Sequence, residues 1–350
     1  MYVRAVVRDR GRAAGPIPLP RRSTVPRSDR MILTSLMPGG RRVPSSALLL
    51  LVLLAAGCRK KDTLRTLERV PLPTPASPAA TLAIDSLGRA WVGDSARLVA
   101  LDSAGRVAVR VPVELRAAPR LLWLDGARLV VRVPGAAGVV DATGKTAALR
   151  RSGAPLARDP RRRWVFTATG NGSVLGLDPR SLAPRWGWPD AGSPVSALAV
   201  SPWGDRVYVA LSGSDRNDVP SSIEVRDALS GRLLSVYRTP APVRRLEAAP
   251  DGTLYGLMGG DVVALRHGRA GLKPLWSRGF GGIGQPEADE LRVSPSGERI
   301  AVLARGKGLR LLSAADGTVL QEGKESPRDV AWDGAGRLWV LGEREIRIVR

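Results

Sequence analysis

One cysteine, one histidine, two phenylalanines and two asparagines are all that this 350-residue chain holds of those types. A single thiol, Cys58, excludes an internal disulfide, so stability must come from apolar burial and backbone hydrogen bonding. A single imidazole, His267, excludes a histidine-rich zinc site and any mechanism that needs two histidines. His267 follows the strand-like run Val262–Arg266 at a place where sister segments carry Asp or Ser, which predicts a solvated hairpin turn. No apolar run is long enough to span a bilayer: the longest, Ala47–Ala56, falls well short of the roughly 20 residues a helix needs. Acidic residues are scarce too, 32 against 54 Lys and Arg, for a formal charge of +22. Arginine outnumbers lysine 48 to 6, as expected of a GC-rich coding bias. Residues 1–57 hold ten Arg and two Asp, so their removal lowers the formal charge from +22 to +14.

The apolar run has the parts of an export signal. Arg41 and Arg42 precede it, and small residues close it as Leu54-Ala55-Ala56-Gly57-Cys58. That ending resembles the lipobox of bacterial lipoproteins. The resemblance implies that Cys58 is acylated, becomes the first residue of the mature chain, and tethers it to a membrane. Translation then starts at Met37 or Met31, and residues 1–36 are a mis-called start or a disordered extension. Residues 37–57 are the signal peptide, 58–79 a tether that includes a closing strand, and 80–350 the folded domain. Arg59, Lys60 and Lys61 stand where they can pair with lipid phosphates, the second weak signal that a fatty-acyl anchor needs. By comparison with other lipoproteins, the lack of Asp after the cysteine implies the periplasmic face of the outer membrane. An exported, tethered chain does not meet the genome, so its basic balance is not taken as nucleic-acid binding.

Downstream of the proline-rich stretch Val70–Pro78 one pattern recurs seven times. The copies read TLAIDSLGRAWV from Thr81, RLLWLDGARLVV from Arg120, PLARDPRRRWVF from Pro155 and ALAVSPWGDRVYVAL from Ala197. RLEAAPDGTLYGLM from Arg245, ELRVSPSGERIAVL from Glu290 and DVAWDGAGRLWVL from Asp329 complete the set. Spacings of 39, 35, 42, 48, 45 and 39 residues are close to those of a four-stranded propeller blade, about 40–50 residues. Each unit starts with an alternating strand, turns through a Gly-containing hairpin, and continues into an apolar strand covered on both faces. Pro202, Pro250 and Pro295 preset φ at the first turn position. The expected fold is all-β: a seven-bladed propeller of four-stranded antiparallel blades. The last unit ends after three strands, so Arg65–Pro71 is predicted to pair antiparallel with Arg344–Val349 and complete it, since an open ring leaves pairing edges exposed.

The segment Ala199-Val200-Ser201-Pro202-Trp203-Gly204-Asp205-Arg206-Val207-Tyr208-Val209-Ala210 resembles bacterial propellers of the YVTN and WD-like type. Ser294–Val302 is similar to the related TolB-type repeat. Propellers host many activities, so the likeness implies a fold and no single function. Propeller lactonases hold a divalent ion with Glu, Asp and Asn in the channel, whereas the only asparagines here are Asn171 and Asn217. Gly279–Gly284 spells G-x-G-x-x-G, but it joins two strands with no helix after it, so no dinucleotide site is expected.

Loops that enter a blade, and loops that join its second and third strands, share one face. The longest fall in blades four to six, and long loops in repeat folds are where binding surfaces grow. The expected binding rim is therefore Arg244, Arg245, Asp215, Asn217, Asp218, Phe280, Gln285 and Glu287. Arg161–Arg163 falls on the opposite face as a solvated turn. No catalytic residue, metal or cofactor is assigned. The functional expectation is a monomeric, lipid-anchored, non-enzymatic scaffold for envelope proteins. The alternative is a small-molecule or sugar-binding propeller with metal-dependent, lactonase-like hydrolysis. An ordered cluster of three carboxylates in the channel would favour that alternative.

Overall fold

The structure is a computed structural model. It describes residues 64–350 except 96, 112–118, 126–127, 134–135, 142, 152–154, 162, 170–171, 189–192, 214–219, 281–287, 305–307, 324, 326 and 350. Those residues form strands joined by turns, and no helix among them is long and apolar enough to cross a membrane.

Strand β1 (Thr66–Pro71) comes first and is taken up below. The first blade is β2 (Thr81–Ile84), β3 (Ala90–Gly93), β4 (Leu98–Leu101) and β5 (Val107–Val111). The second is β6 (Arg120–Asp125), β7 (Arg128–Val133), β8 (Ala136–Val140) and β9 (Thr146–Arg151). The third holds β10 (Leu156–Arg158), β11 (Val165–Ala168), β12 (Val174–Leu177) and β13 (Pro184–Trp188). In the fourth are β14 (Val195–Val200), β15 (Arg206–Leu211), β16 (Ser222–Asp227) and β17 (Leu233–Arg238). The fifth comprises β18 (Val243–Ala248), β19 (Thr253–Met258), β20 (Asp261–Gly268) and β21 (Gly271–Gly279). The sixth has β22 (Glu290–Val293), β23 (Arg299–Ala304), β24 (Gly308–Ser313) and β25 (Val319–Gly323). The last contributes β26 (Asp329–Trp332), β27 (Leu338–Leu341) and β28 (Glu345–Val349), and β1 joins it as the outermost strand.

Seven four-stranded antiparallel sheets result, and the innermost strand of each touches the next, with β26 returning to β2. The seven-bladed ring expected from the repeat spacing is the observed fold. The expected closure is present as well. Val70 lies opposite Ile346 and Pro71 opposite Glu345, and Leu72 N donates to Arg344 O at 2.9 Å. Pro71 is tolerated because the missing N–H falls on an edge strand.

The core is divided among the interfaces. Among the described residues seven apolar clusters form, and each is shared mainly by two successive blades; Val70, Leu82, Val92, Trp339 and Ile346, for example, seal blade seven to blade one. Second strands such as β19 are buried at every residue, whereas outer strands such as β17 are largely exposed. This burial gradient explains why the alternation lapses in the second strand of each repeat.

Turn chemistry fixes the hairpins. Gly204 N donates to Ser201 O and Gly297 N to Ser294 O, which places Pro202 and Pro295 at the first corner as expected. In blades one and seven an Asp–Arg–Trp device repeats as D-x-x-G-R-x-W. Asp85 Oδ1 accepts from Leu87 N and Arg89 N, while its Oδ2 accepts from Arg89 Nε at 2.6 Å and Trp91 Nε1 at 3.0 Å. Asp333 does the same for Ala335, Arg337 and Trp339. Neighbouring blades lock through tryptophans on outer strands. Gly231, at φ +69°, lies under the Trp188 indole, where a Cβ would overlap the ring.

Candidate functional site

Side chains two apart on a strand share a face. The innermost strands therefore offer the channel two layers, drawn from the first and third positions of each repeat. The first position carries Thr81, Arg120, Pro155, Ala197, Arg245, Glu290 and Asp329, and the third includes Glu247 and Arg292. Charge thus collects at the channel from blades two, five, six and seven.

A cavity of about 720 Å³ opens at the face that carries the blade-entering loops. Thr81, Arg120, Ser196, Ser212, Arg244, Arg245 and Asp289 line it, with prolines 78, 119 and 242 forming the lip. Thr81 Oγ1 donates to Pro119 O at 2.8 Å, which ties the lip of blade one to blade two.

At this mouth Glu290, 1% exposed, gathers three guanidinium groups. Arg292 Nη1 donates to its Oε1 at 2.7 Å and Arg245 Nε to the same oxygen at 3.1 Å. Arg120 Nη1 donates to Oε2 from blade two, reaching a residue 170 positions away. Burial would raise the Glu290 carboxyl, but the arginines outweigh it and hold the group below the usual carboxylate range. Burial lowers Arg245, with Glu290 opposing. For Arg292, Glu290, Asp329 and Glu247 overcome burial and raise it. Asp329 accepts from Leu82 N and Val330 N, both at 2.9 Å.

Two groups here are less well compensated. Arg132 on β7 has a buried Nε with no hydrogen-bond partner, and burial, Arg120 and Arg245 together lower its pKa. Glu247 keeps some accessible area yet is enclosed by protein atoms, and that burial pushes its carboxyl up to about 7 against the pull of Arg292 and Val293 N.

The expected rim is placed only in part. Arg244 and Arg245 line the cavity. Phe280 does not belong to a rim: it is 6% exposed and packs in the core between blades five and six. Its N–H donates to Gly260 O, and the Arg310 guanidinium lies 4.7 Å from its ring centroid, which draws the ring inward. Asp215, Asn217, Asp218, Gln285, Glu287 and Cys58 lie outside the described residues. His267 is not in a turn either. It is a strand residue of β20 at the interface with blade four, where Arg206 Nη1 approaches its Nδ1 at 2.9 Å. A guanidinium only donates, so Nδ1 must accept and the ring is neutral; burial and then Arg206 lower its pKa. On the opposite face, Arg163 pairs with Asp159 at 3.0 Å and bonds Gly204 O at 2.8 Å, linking the turns of blades three and four.

Arg120, Arg132, Glu290 and Arg292 were not anticipated. The signal was in the repeat itself, whose first and third columns hold charge where soluble strands usually hold it outward. Among the described residues no group of three His, Cys, Asp or Glu side chains is arranged to hold a metal ion. Glu247, Glu290 and Asp329 each lie within electrostatic reach of Arg292, but Glu290 is occupied by arginines and Asp329 by backbone N–H groups.

No protein-family profile matches the chain, and no curated protein matches it. Solved structures do. The β-propeller domain of Cps50 (Swd1) from Myceliophteria thermophila aligns with a TM-score of 0.67 and 14% identity, over 82% of this chain and 99% of that one. A chain of the mitotic checkpoint complex aligns with a TM-score of 0.63 and 15% identity, over 92% and 98%. At such identities the likeness shows the fold alone.

Proposed function

We propose that this chain is a lipid-anchored scaffold of the cell envelope, held through Cys58 at the periplasmic face of the outer membrane and presenting its channel mouth to another envelope protein. One observation carries the reading. The ring brings arginines of blades two and five to one accessible opening, with Arg292 of blade six beside them on Glu290, next to a lip of proline, threonine and serine. Rigid scaffolds that hold charged groups at an opening suit recognition, because little order has to be created on binding. The mitotic checkpoint complex chain supports the reading by example, since a propeller of this fold serves there inside a multiprotein assembly. The chain acts as a non-enzymatic monomer in this reading. The hydrolytic alternative needs carboxylates open to a metal or water, and Glu290 and Asp329 are otherwise engaged.

The test is in-cell photocrosslinking from Ser212, Pro242 and Asp289 at the mouth, with Leu87 and Gly334 on the opposite face as controls. Capture of one defined envelope protein from the mouth positions alone is expected. Equal capture from both faces, or a metal-dependent esterase activity in the purified protein with no capture, overturns the scaffold reading. Anchoring is tested separately: intact mass of the membrane fraction should show a diacylated or triacylated residue at Cys58, and Cys58→Ser should release the protein into the soluble fraction.

A further inference from the structure

We infer that the channel mouth binds side-chain carboxylates of an acidic segment in a partner protein. The inference rests on the scaffold reading and names the chemistry of its partner.

Donors outnumber acceptors at this site. A guanidinium carries five N–H donors and no acceptor. Arg120, Arg132, Arg245 and Arg292 converge here, yet Glu290 is the one carboxylate among the described residues that hydrogen-bonds any of them. Beyond Glu290, Arg245 and Arg292 reach only backbone carbonyls of Arg244 and Leu291. Arg120 has no other partner among the described residues, and Arg132 has a buried Nε with none. A buried donor without an acceptor, such as Arg132 Nε, is uncommon in folded proteins, and the other N–H groups of Arg120 and Arg245 sit on partly exposed side chains at the cavity.

Geometry says what would satisfy them. The planar fork of arginine matches the two oxygens of a carboxylate. Glu290 shows how a carboxylate is held here: it accepts one N–H from each of three guanidinium groups, of blades two, five and six. The arginines are not sealed behind it. Arg120 keeps 37% of its side chain exposed and Arg245 30%, and both line the cavity with exposed Arg244. A volume of about 720 Å³ admits several side chains of an extended segment, and Thr81, Ser196 and Ser212 add hydroxyls at its wall. A concave opening of this kind does not suit a flat bilayer surface.

The experiment uses the full chain and a fluorescent oligoglutamate peptide, with an oligoglutamine peptide of equal length as the neutral control. Binding is followed by anisotropy at low salt and again near 0.15 M, where exposed charges are screened beyond about 8 Å. Saturable binding of the glutamate peptide alone is expected, weakened about tenfold by Arg244→Glu. Arg120→Gln should act in the same direction, and melting curves identify any variant that fails to fold. Arg161→Glu, on the opposite face, should leave binding unchanged. Equal loss in Arg161→Glu would reveal diffuse attraction by net charge and overturn the inference. So would binding of inorganic phosphate without binding of the peptide, which reassigns the site to phosphate. If the peptide fails while photocrosslinks from the mouth still capture a defined partner, this inference falls and the scaffold reading stands.

Discussion

Truncating Val70 to alanine probes how the ring is closed. Of the six residues of β1, Val70 is the only one that is buried, at 0% exposure, and it packs with Trp339, Ile346 and Ile348. The remaining attachment among the described residues is the antiparallel ladder to β28 and one ion pair, Arg69–Glu345, whose arginine is 64% exposed and so contributes under about 1 kcal/mol. Val→Ala removes two methyl groups, each worth about 0.8 kcal/mol by transfer, and leaves a small cavity in a site with little freedom to collapse. The expected cost is about 2 kcal/mol. For a domain of roughly 290 residues, with an unfolding entropy of about 0.6 kcal/mol/K, that lowers the melting temperature by roughly 3 °C. Leu67→Ala is the matched control, since Leu67 is 51% exposed and its loss should stay within about 0.5 kcal/mol. Differential scanning calorimetry of both variants decides the matter. Equal, small shifts would mean that β1 does not seal the last blade.

The carboxyl of Glu247 is raised to about 7 from an ordinary 4.5, so between those values the folded state keeps a proton that the unfolded chain has lost, and stability falls as pH rises through the window. Glu247→Gln should remove that slope and gain up to about 3 kcal/mol at pH 8, read as the difference between melting curves of variant and parent at pH 5 and pH 8. A profile shared by both proteins would show that Glu247 does not titrate there. Asp85→Ala should cost about 3–5 kcal/mol in urea unfolding, because it strands Trp91 Nε1, two backbone N–H groups and the Arg89 guanidinium. The equivalent change at Asp102, whose turn bonds face water, should cost far less in the same urea series.

Much of the ring was legible because each blade is a local unit. Period-two strands, Gly turns and Pro corners repeat at blade spacing, and a three-stranded last unit needs a partner that only the segment before Thr81 could supply. The site was less legible. Arg120 and Glu290 meet because the ring closes, and nothing local in either copy points to the other. Phe280 sits among glycines and looked like a loop tip, yet an Arg310 guanidinium and the Gly260 carbonyl fold it into the core. His267 looked like a turn residue because sister units carry Asp or Ser at that place; β20 and β21 run eight and nine residues, which carries His267 onto the ladder against blade four.

The contact between Arg120 and Glu290 is where closure and charge depend on each other, and a double-mutant cycle measures it. Arg120→Gln, Glu290→Gln and the double variant should show a coupling free energy of about 1–3 kcal/mol in unfolding, across blades two and six. Additivity within about 0.5 kcal/mol would contradict a closed ring with its arginines gathered on Glu290.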